Sequence, residues 1–185
     1  MRDDLPSAVR GLIMDVDGTL VDNVYLHTRA WDLAFRDVGM DSPGWVLHRH
    51  VGMGGDRLVS GVAGDAAERE HGDRLRWPHD RRFAGMLHQV RPLPGAHGFI
   101  TSMAAAGVRG VPAGSGTRPE MDHFARLPGV GDVLHAVVTS EDVDASKPSL
   151  DLVRTAAQRL GHEPARARLR ARLRAMRSSP REAGS

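Results

Sequence analysis

The stretch GLIMDVDGTLVD, Gly11–Asp22, decides how the chain is read. Leu12 to Asp15 is a short apolar run bounded by Gly11 and Gly18, and it predicts a buried strand ending at Asp15. In open α/β sheets, ligands bind at the carboxyl ends of strands. Asp15 and Asp17 stand two residues apart just there, although neighbouring carboxylates repel unless a cation or a shared proton neutralises them. A hard divalent ion with oxygen ligands, Mg²⁺ above all, meets that need. One carboxylate is then available to attack an electrophile such as phosphorus while the other moves a proton. Gly18 permits a tight turn, and Thr19 has a hydroxyl to bond across it.

A calcium loop also begins D-x-D-G, but Thr19, Leu20 and Leu26 occupy the positions where such a loop needs an Asp or Asn, a Gly and a bidentate Glu. A plain turn and helix cap is the other competing reading. Outward from the acidic pair, residues 23–38 show helical periodicity, with Leu26, Ala30, Leu33, Ala34 and Val38 on one face and Gly39 as the C-cap. VGMGGD, 51–56, is a Gly-rich turn, followed by helical stretches to about Val90. RPLPGAHG, 91–98, is a Pro/Gly linker. Beyond it the pattern alternates: a helix to Ala106, a strand in GVRGVPAG (107–114) weakened by Gly110 and Pro112, and a helix over 119–127. A strand in DVLHAVVTS (132–140) and a helix over 149–160 follow. That alternation predicts parallel βαβ units, hence an α/β core over 1–22 and 91–165 interrupted by a helical insert at 23–90.

The chain has 185 residues, with no cysteine, 25 basic and 23 acidic residues and a formal charge of +2. Disulfide and thiolate chemistry are excluded, and the absence of cysteine fits a cytoplasmic location. No apolar run approaches the roughly 18–20 residues that span a bilayer, and the N-terminus lacks a signal-peptide pattern. The charge sits unevenly. Residues 166–185 hold seven arginines against one acid, Glu182, which leaves the preceding 165 residues at −4. The mildly acidic body argues against nucleic acid as a specific partner, and neither a membrane partner nor an oligomeric state is indicated. The arginines recur every two positions, which would spread them over every face of a helix, so the expectation is a solvated, poorly ordered tail. Lys147 is the only lysine, a sign that its place needs a compact ammonium.

DVDGTLVD resembles the first motif of the haloacid dehalogenase-like superfamily, and SKPSLD, 146–151, resembles the Lys-Pro motif of the same enzymes. The resemblance implies a Rossmann-like parallel sheet with a helical cap inserted after the first strand, matching the insert at 23–90. It implies Asp15 as nucleophile and Mg²⁺ ligand. Asp17 becomes the acid/base, with its carbonyl on the metal, and Thr19 the residue that steadies Asp17. Lys147 neutralises the nucleophile and the transferring phosphoryl group. Gly18, Ser115 and Gly116 are the expected phosphate contacts.

Two departures stand out. The family's second motif ends a strand with a phosphate-holding Ser or Thr, whereas VPAGSG, 111–116, places Gly114 there and Ser115 one residue late. The fourth motif supplies a further carboxylate to Mg²⁺, yet no Asp follows Asp151. The change to an Arg/Ala/Leu/Ser tail after about residue 165 reads as a core cut short or shifted in frame. Glu141 and Asp142 are candidates for the missing ligand. Arg49, His50 and Arg57, around the Gly-rich turn, are expected to contact substrate, and the ten His residues form no zinc framework. The expected function is Mg²⁺-dependent hydrolysis of a small phosphomonoester through an aspartyl-phosphate, impaired by the missing motif. The alternatives are a non-catalytic remnant of such an enzyme and a binding protein acting through its basic tail.

Overall fold

The computed structural model describes residues 11–130, 137–142, 151–161 and 169–170. Its central sheet is built around β1, Gly11–Met14, whose three apolar residues are nearly inaccessible to water. β4, Arg109–Pro112, runs parallel beside it in the register Gly11↔Arg109 to Met14↔Pro112. Val138 extends the sheet by a parallel bridge to Ala113. Gly110 and Pro112 do not prevent β4 from forming, because β1 and the Val138 segment hold it from both sides. Proline's missing donor is tolerated: Pro112 contributes its carbonyl, which accepts from Val138 N at 3.0 Å.

Alternation along β1 creates two cores. Leu12 and Met14 join Ile100 and Met103 of α5, Ala96–Ala105, together with Met121 and Phe124 of α6, Arg118–Phe124. Ile13 faces the opposite way, onto Leu152, Ala156 and Ala157 of α7, Asp151–Arg159. Burying each such aliphatic side chain contributes about 1.5–3 kcal/mol. The result is a helix–sheet–helix sandwich, the Rossmann-like α/β class expected from the sequence.

Between Asp22 and Arg91 the named elements are helical: α1, Val24–Asp37; α2, Gly44–His50; α3, Gly55–Ala63; and α4, Asp65–Met86. Their separate core consists of Trp31, Ala34, Phe35, Leu47, Leu58, Val59 and Leu75. The buried face of α1 is centred on Ala30, Trp31, Ala34 and Phe35, so the large aromatics decide its rotation more than Leu26 and Leu33 do. Trp45 and Trp77 lie on the surface instead of in this core, each 64% exposed under an arginine. The helical block leaves and rejoins the sheet domain through one antiparallel ribbon, β2 (Val21–Asp22) against β3 (Arg91–Pro92). Leu93 N adds a bond to Leu20 O at 2.9 Å.

The tail departs from expectation at two positions. Leu169–Arg170, β5, pairs parallel with β1 at Ile13 and Met14, giving the order β4-β1-β5. A buried strand with an open edge carries unsatisfied amides and carbonyls. Backbone pairing needs no apolar stripe, which is why composition alone gave no hint of it.

Candidate active site

The chain turns sharply as it leaves β1. Val16 O accepts from the N–H groups of Thr19, Leu20 and Val21, and Gly18 N donates to Val21 O. Gly18 has φ +67°, a left-handed conformation that glycine adopts at little cost. This turn fixes Asp15 directly after β1 and Asp17 two residues on, both about nine-tenths buried. Val16 N donates to Asp15 Oδ1 at 2.9 Å. Thr19 makes no side-chain bond to Asp17 among the described residues. Asn23 does so instead, donating from Nδ2 to Asp17 Oδ1 at 2.6 Å. Thr19 is committed to the tight turn, whereas β2 carries Asn23, at the mouth of α1, back over Asp17.

Asn23 begins a chain of contacts into the helical block. Its Nδ2 lies 3.4 Å from His27 Nε2, His27 Nδ1 lies 3.1 Å from His79 Nε2, and His79 Nδ1 lies 2.7 Å from Asp80 Oδ1. The carboxylate at the far end requires His79 Nδ1 to donate. Each step then resolves in one direction, with Asn23 giving one amide hydrogen to Asp17 and the other to His27. Aromatic packing seals the chain: His27 stacks on Phe83 at 3.6 Å and His79 on Trp31 at 4.1 Å between ring centroids. Burial lowers the His27 pKa to about 4, with the Asp17 charge opposing that shift, so the ring is neutral at pH 7.

A cavity of about 340 Å³ opens between the sheet and the helical block. Its described lining includes Asp17, Ser115, Gly116, Thr117 and Glu120 from the sheet side. His27, Trp31, Arg76, His79, Asp80 and the whole Gly-rich turn from Val51 to Asp56 come from the other. Asp15, Gly18 and Thr19 are not part of that lining. Arg49, His50 and Arg57 also stay outside it: Arg49 lies over Trp45, and His50 bonds through Nδ1 to Val46 O at 2.8 Å. Arg76 of α4 is the arginine that does reach the cavity, 21 residues from the loop it touches at Gly55 O, a separation that no local pattern signals. Lys147 lies outside the described residues.

Ser115 and Gly116 begin the loop leading into α6. Ser115 Oγ is buried and has no hydrogen-bond partner among the described residues. A side chain at Gly114 would meet Met121 Cε at 3.0 Å and Val16 Cβ at 3.4 Å. Packing therefore leaves little room for a hydroxyl residue there. Glu120 closes a capping box with Thr117, accepting from Thr117 N at 2.7 Å. Burial raises its pKa to about 7, aided by the Asp17 and Asp80 charges and opposed by the Thr117 bond.

Asp15 and Asp17 supply the oxygen donors that a divalent ion takes. No cluster of three or more His, Asp or Glu suited to a metal is present among the described residues. Glu141 and Asp142 are engaged elsewhere. Glu141 Oε1 accepts from Arg118 N at 3.0 Å, while Asp142 accepts from Thr139 N at 2.8 Å and from Arg159 Nη2 at 2.7 Å. Desolvation works against the charge of Asp142, but those bonds hold its pKa below the ordinary carboxylate value.

The fold is a parallel sheet with two buried carboxylates after its β1 strand, one of which, Asp17, lines a cavity under a helical block. The haloacid dehalogenase-like hydrolase family model matches residues 9–167, and the chain belongs to that family. It is 32% identical over 150 residues to the phosphoglycolate phosphatase of Yersinia pestis, an alignment covering 76% of this chain and 63% of the relative. It is 28% identical over 175 residues to protein CbbY of Rhodobacter capsulatus, covering 85% and 74%. The crystal structure of a hydrolase from Pseudomonas syringae superposes with a TM-score of 0.74 at 26% identity, covering 87% of this chain and 74% of the other. The chain thus spans under two thirds of the length of the phosphatase and about three quarters of CbbY. Among the described residues, no helix is long and apolar enough to cross a membrane.

Proposed function

We propose that the chain is a cytoplasmic, Mg²⁺-dependent phosphomonoester hydrolase working through an aspartyl-phosphate on Asp15, with the helical block at 23–90 as its cap. One observation carries this reading: Asp15 and Asp17 lie buried at the end of β1, and Asp17 lines the same cavity as Ser115, whose buried hydroxyl has no hydrogen-bond partner among the described residues. The donor set fits Mg²⁺, which takes one or two carboxylates and completes its shell with water and substrate phosphate. When bound through Asp15 and Asp17, it would neutralise the paired carboxylates and the phosphate.

Asp15 attacks phosphorus and forms the acyl-phosphate bond as the bond to the leaving oxygen breaks. Asp17 gives its proton to that oxygen. Water then attacks the phosphoryl group, Asp17 takes up the water's proton, and Asp15 and inorganic phosphate are released. Asn23 holds Asp17 Oδ1 and so sets which oxygen faces the substrate. Ser115 Oγ and the Gly116 backbone are the contacts for the phosphoryl oxygens, with Lys147 as the neutralising ammonium. The cavity volume suits a small substrate of the sugar-phosphate or phosphoglycolate kind.

The second reading, a weakened or inactive relative, rests on the absence of any Asp after Asp151 and on the engagement of Glu141 with the Arg118 backbone N–H and of Asp142 with the Arg159 guanidinium. Mg²⁺ titration by calorimetry on the intact chain and on Asp15→Asn separates the two. Binding that is saturable and lost in the variant supports the enzyme. Absence of binding in both supports the remnant.

A further inference from the structure

The hydrogen-bond chain that runs from Asp17 into the helical block has a direction, and its outer end sets it. There the Asp80 carboxylate only accepts, so His79 Nδ1 donates across the 2.7 Å contact. His27 is neutral at pH 7 and carries one ring N–H. Asn23 Nδ2 can only donate, so the 3.4 Å contact makes His27 Nε2 an acceptor and puts that ring hydrogen on Nδ1. From there it goes to His79 Nε2 at 3.1 Å. The other Asn23 amide hydrogen goes to Asp17 Oδ1 at 2.6 Å. Stacking of His27 on Phe83 and of His79 on Trp31 fixes where the rings lie. The carboxylate decides which of their nitrogens carry hydrogen.

The reverse arrangement is also complete, and Asp80 forbids it. With a donor at position 80, His79 Nδ1 would accept, His79 Nε2 would donate to His27 Nδ1, and His27 Nε2 would donate toward Asn23. The Asn23 amide would then turn its oxygen to both neighbours and accept a proton from Asp17. The far end of the amide does not resist that turn, because Asn23 Oδ1 is buried with no hydrogen-bond partner among the described residues. The direction matters for the proton that Asp17 gives to the leaving oxygen. While Asn23 donates to Oδ1, that proton is kept on Oδ2. Once the amide is turned, the proton is engaged by Asn23 and is withheld from the ester.

We infer, on the phosphomonoester reading above, that Asp80 and His79 of α4 are positioning residues for the proton transfer: through His27 they keep the Asn23 amide donating to Asp17 Oδ1, which leaves the Asp17 proton on Oδ2 for the leaving oxygen.

The test uses Asp80→Asn in the full chain, a change that keeps the shape of a half-exposed side chain and supplies a donor. Long-range nitrogen–proton NMR on the metal-free protein reads the tautomers. His27 and His79 should both carry hydrogen on Nδ1 in the wild type, and part of the His27 population should move to Nε2 in the variant. kcat/KM is then measured with Mg²⁺ on glycerol phosphate, whose leaving alkoxide needs a proton, and on p-nitrophenyl phosphate, whose leaving oxygen departs without one. The variant should lose about tenfold or more on the first ester and less than about threefold on the second, because general-acid catalysis assists only a leaving group that takes up the proton. In an Asn23→Ala background, Asp80→Asn should have no further effect, since the two act through one chain. An unchanged His27 tautomer, an equal loss on both esters, or an effect that persists without Asn23 overturns the inference and leaves the hydrolase reading standing. If the wild type neither turns over an ester nor binds inorganic phosphate, the hydrolase reading falls and the inference with it.

Discussion

Glu120 and His27 make opposite demands on folding, and Glu120→Gln separates them. Glu120 titrates near 7 in the folded chain against 4.5 for an ordinary glutamate, because burial disfavours its charge. A group with a raised folded pKa contributes its stability fully below its unfolded value and loses it as pH rises through the folded one. At 1.36 kcal/mol per pKa unit, the ionised Glu120 costs about 3 kcal/mol above pH 7. His27 runs the other way: its folded pKa of about 4 lies below the ordinary 6.5. The unfolded chain therefore binds the extra proton between those values, and stability falls by about 3 kcal/mol as pH drops through that window. Between pH 4.5 and 6.5 the two slopes oppose each other, so those two groups leave the wild type nearly flat there. The glutamine side chain of the variant can still accept from Thr117 N through its amide oxygen while carrying no charge. Urea unfolding at pH 4.5, 6.5 and 8 should find Glu120→Gln similar to wild type at the lowest pH and more stable at pH 8 by up to about 3 kcal/mol. A difference between the two proteins that is the same at all three pH values would refute the reasoning, since only a titrating group gives one that grows with pH.

Three further perturbations probe the scaffold. Asn23→Ala removes the 2.6 Å bond to Asp17 and leaves His27 Nε2 without its donor; unfolding measurements should show a loss of about 1–3 kcal/mol, and kcat should fall more than KM rises. Gly18→Ala places a Cβ on a left-handed residue at φ +67°, and its midpoint in urea should drop by the equivalent of about 1–2 kcal/mol. Truncation after Gly161 removes the Leu169–Arg170 pairing and opens one edge of β1; a loss of about 1–3 kcal/mol is expected from its backbone bonds, and an unchanged melting temperature would show that the pairing contributes nothing.

The acidic pair, the strand before it and the helical block after it were legible because each rests on local pattern. Apolar residues bounded by glycines define β1, and helical periodicity runs through α1. The Gly-rich turn at 51–56 is legible from its glycines, and the structure puts it in the lining of the cavity. What the sequence hid depends on tertiary placement. Asn23 stands at the start of a helical pattern, and its bond to Asp17 depends on the β2–β3 ribbon that brings it back over the turn. His27 and His79 are 52 residues apart, and their contact needs α1 and α4 packed side by side. Glu120 reads as half of a capping box, and its raised pKa comes from burial beside Asp17 and Asp80. Arg49, His50 and Arg57 lie next to the Gly-rich turn along the chain, yet none of them belongs to the described lining of the cavity. The pairing of Leu169 and Arg170 with β1 was invisible because an edge strand can be recruited by backbone alone.

The most direct measurement is hydrolysis of a generic aryl phosphate by the intact chain, with and without Mg²⁺, beside Asp15→Asn. If no carboxylate replaces the Asp missing after Asp151, turnover is expected about 10²–10³-fold below a relative that has one, the usual effect of losing one preorganised electrostatic contact. It should require Mg²⁺ and vanish in Asp15→Asn. Turnover that survives unchanged in Asp15→Asn would contradict the assignment of the nucleophile and, with it, the account of the site.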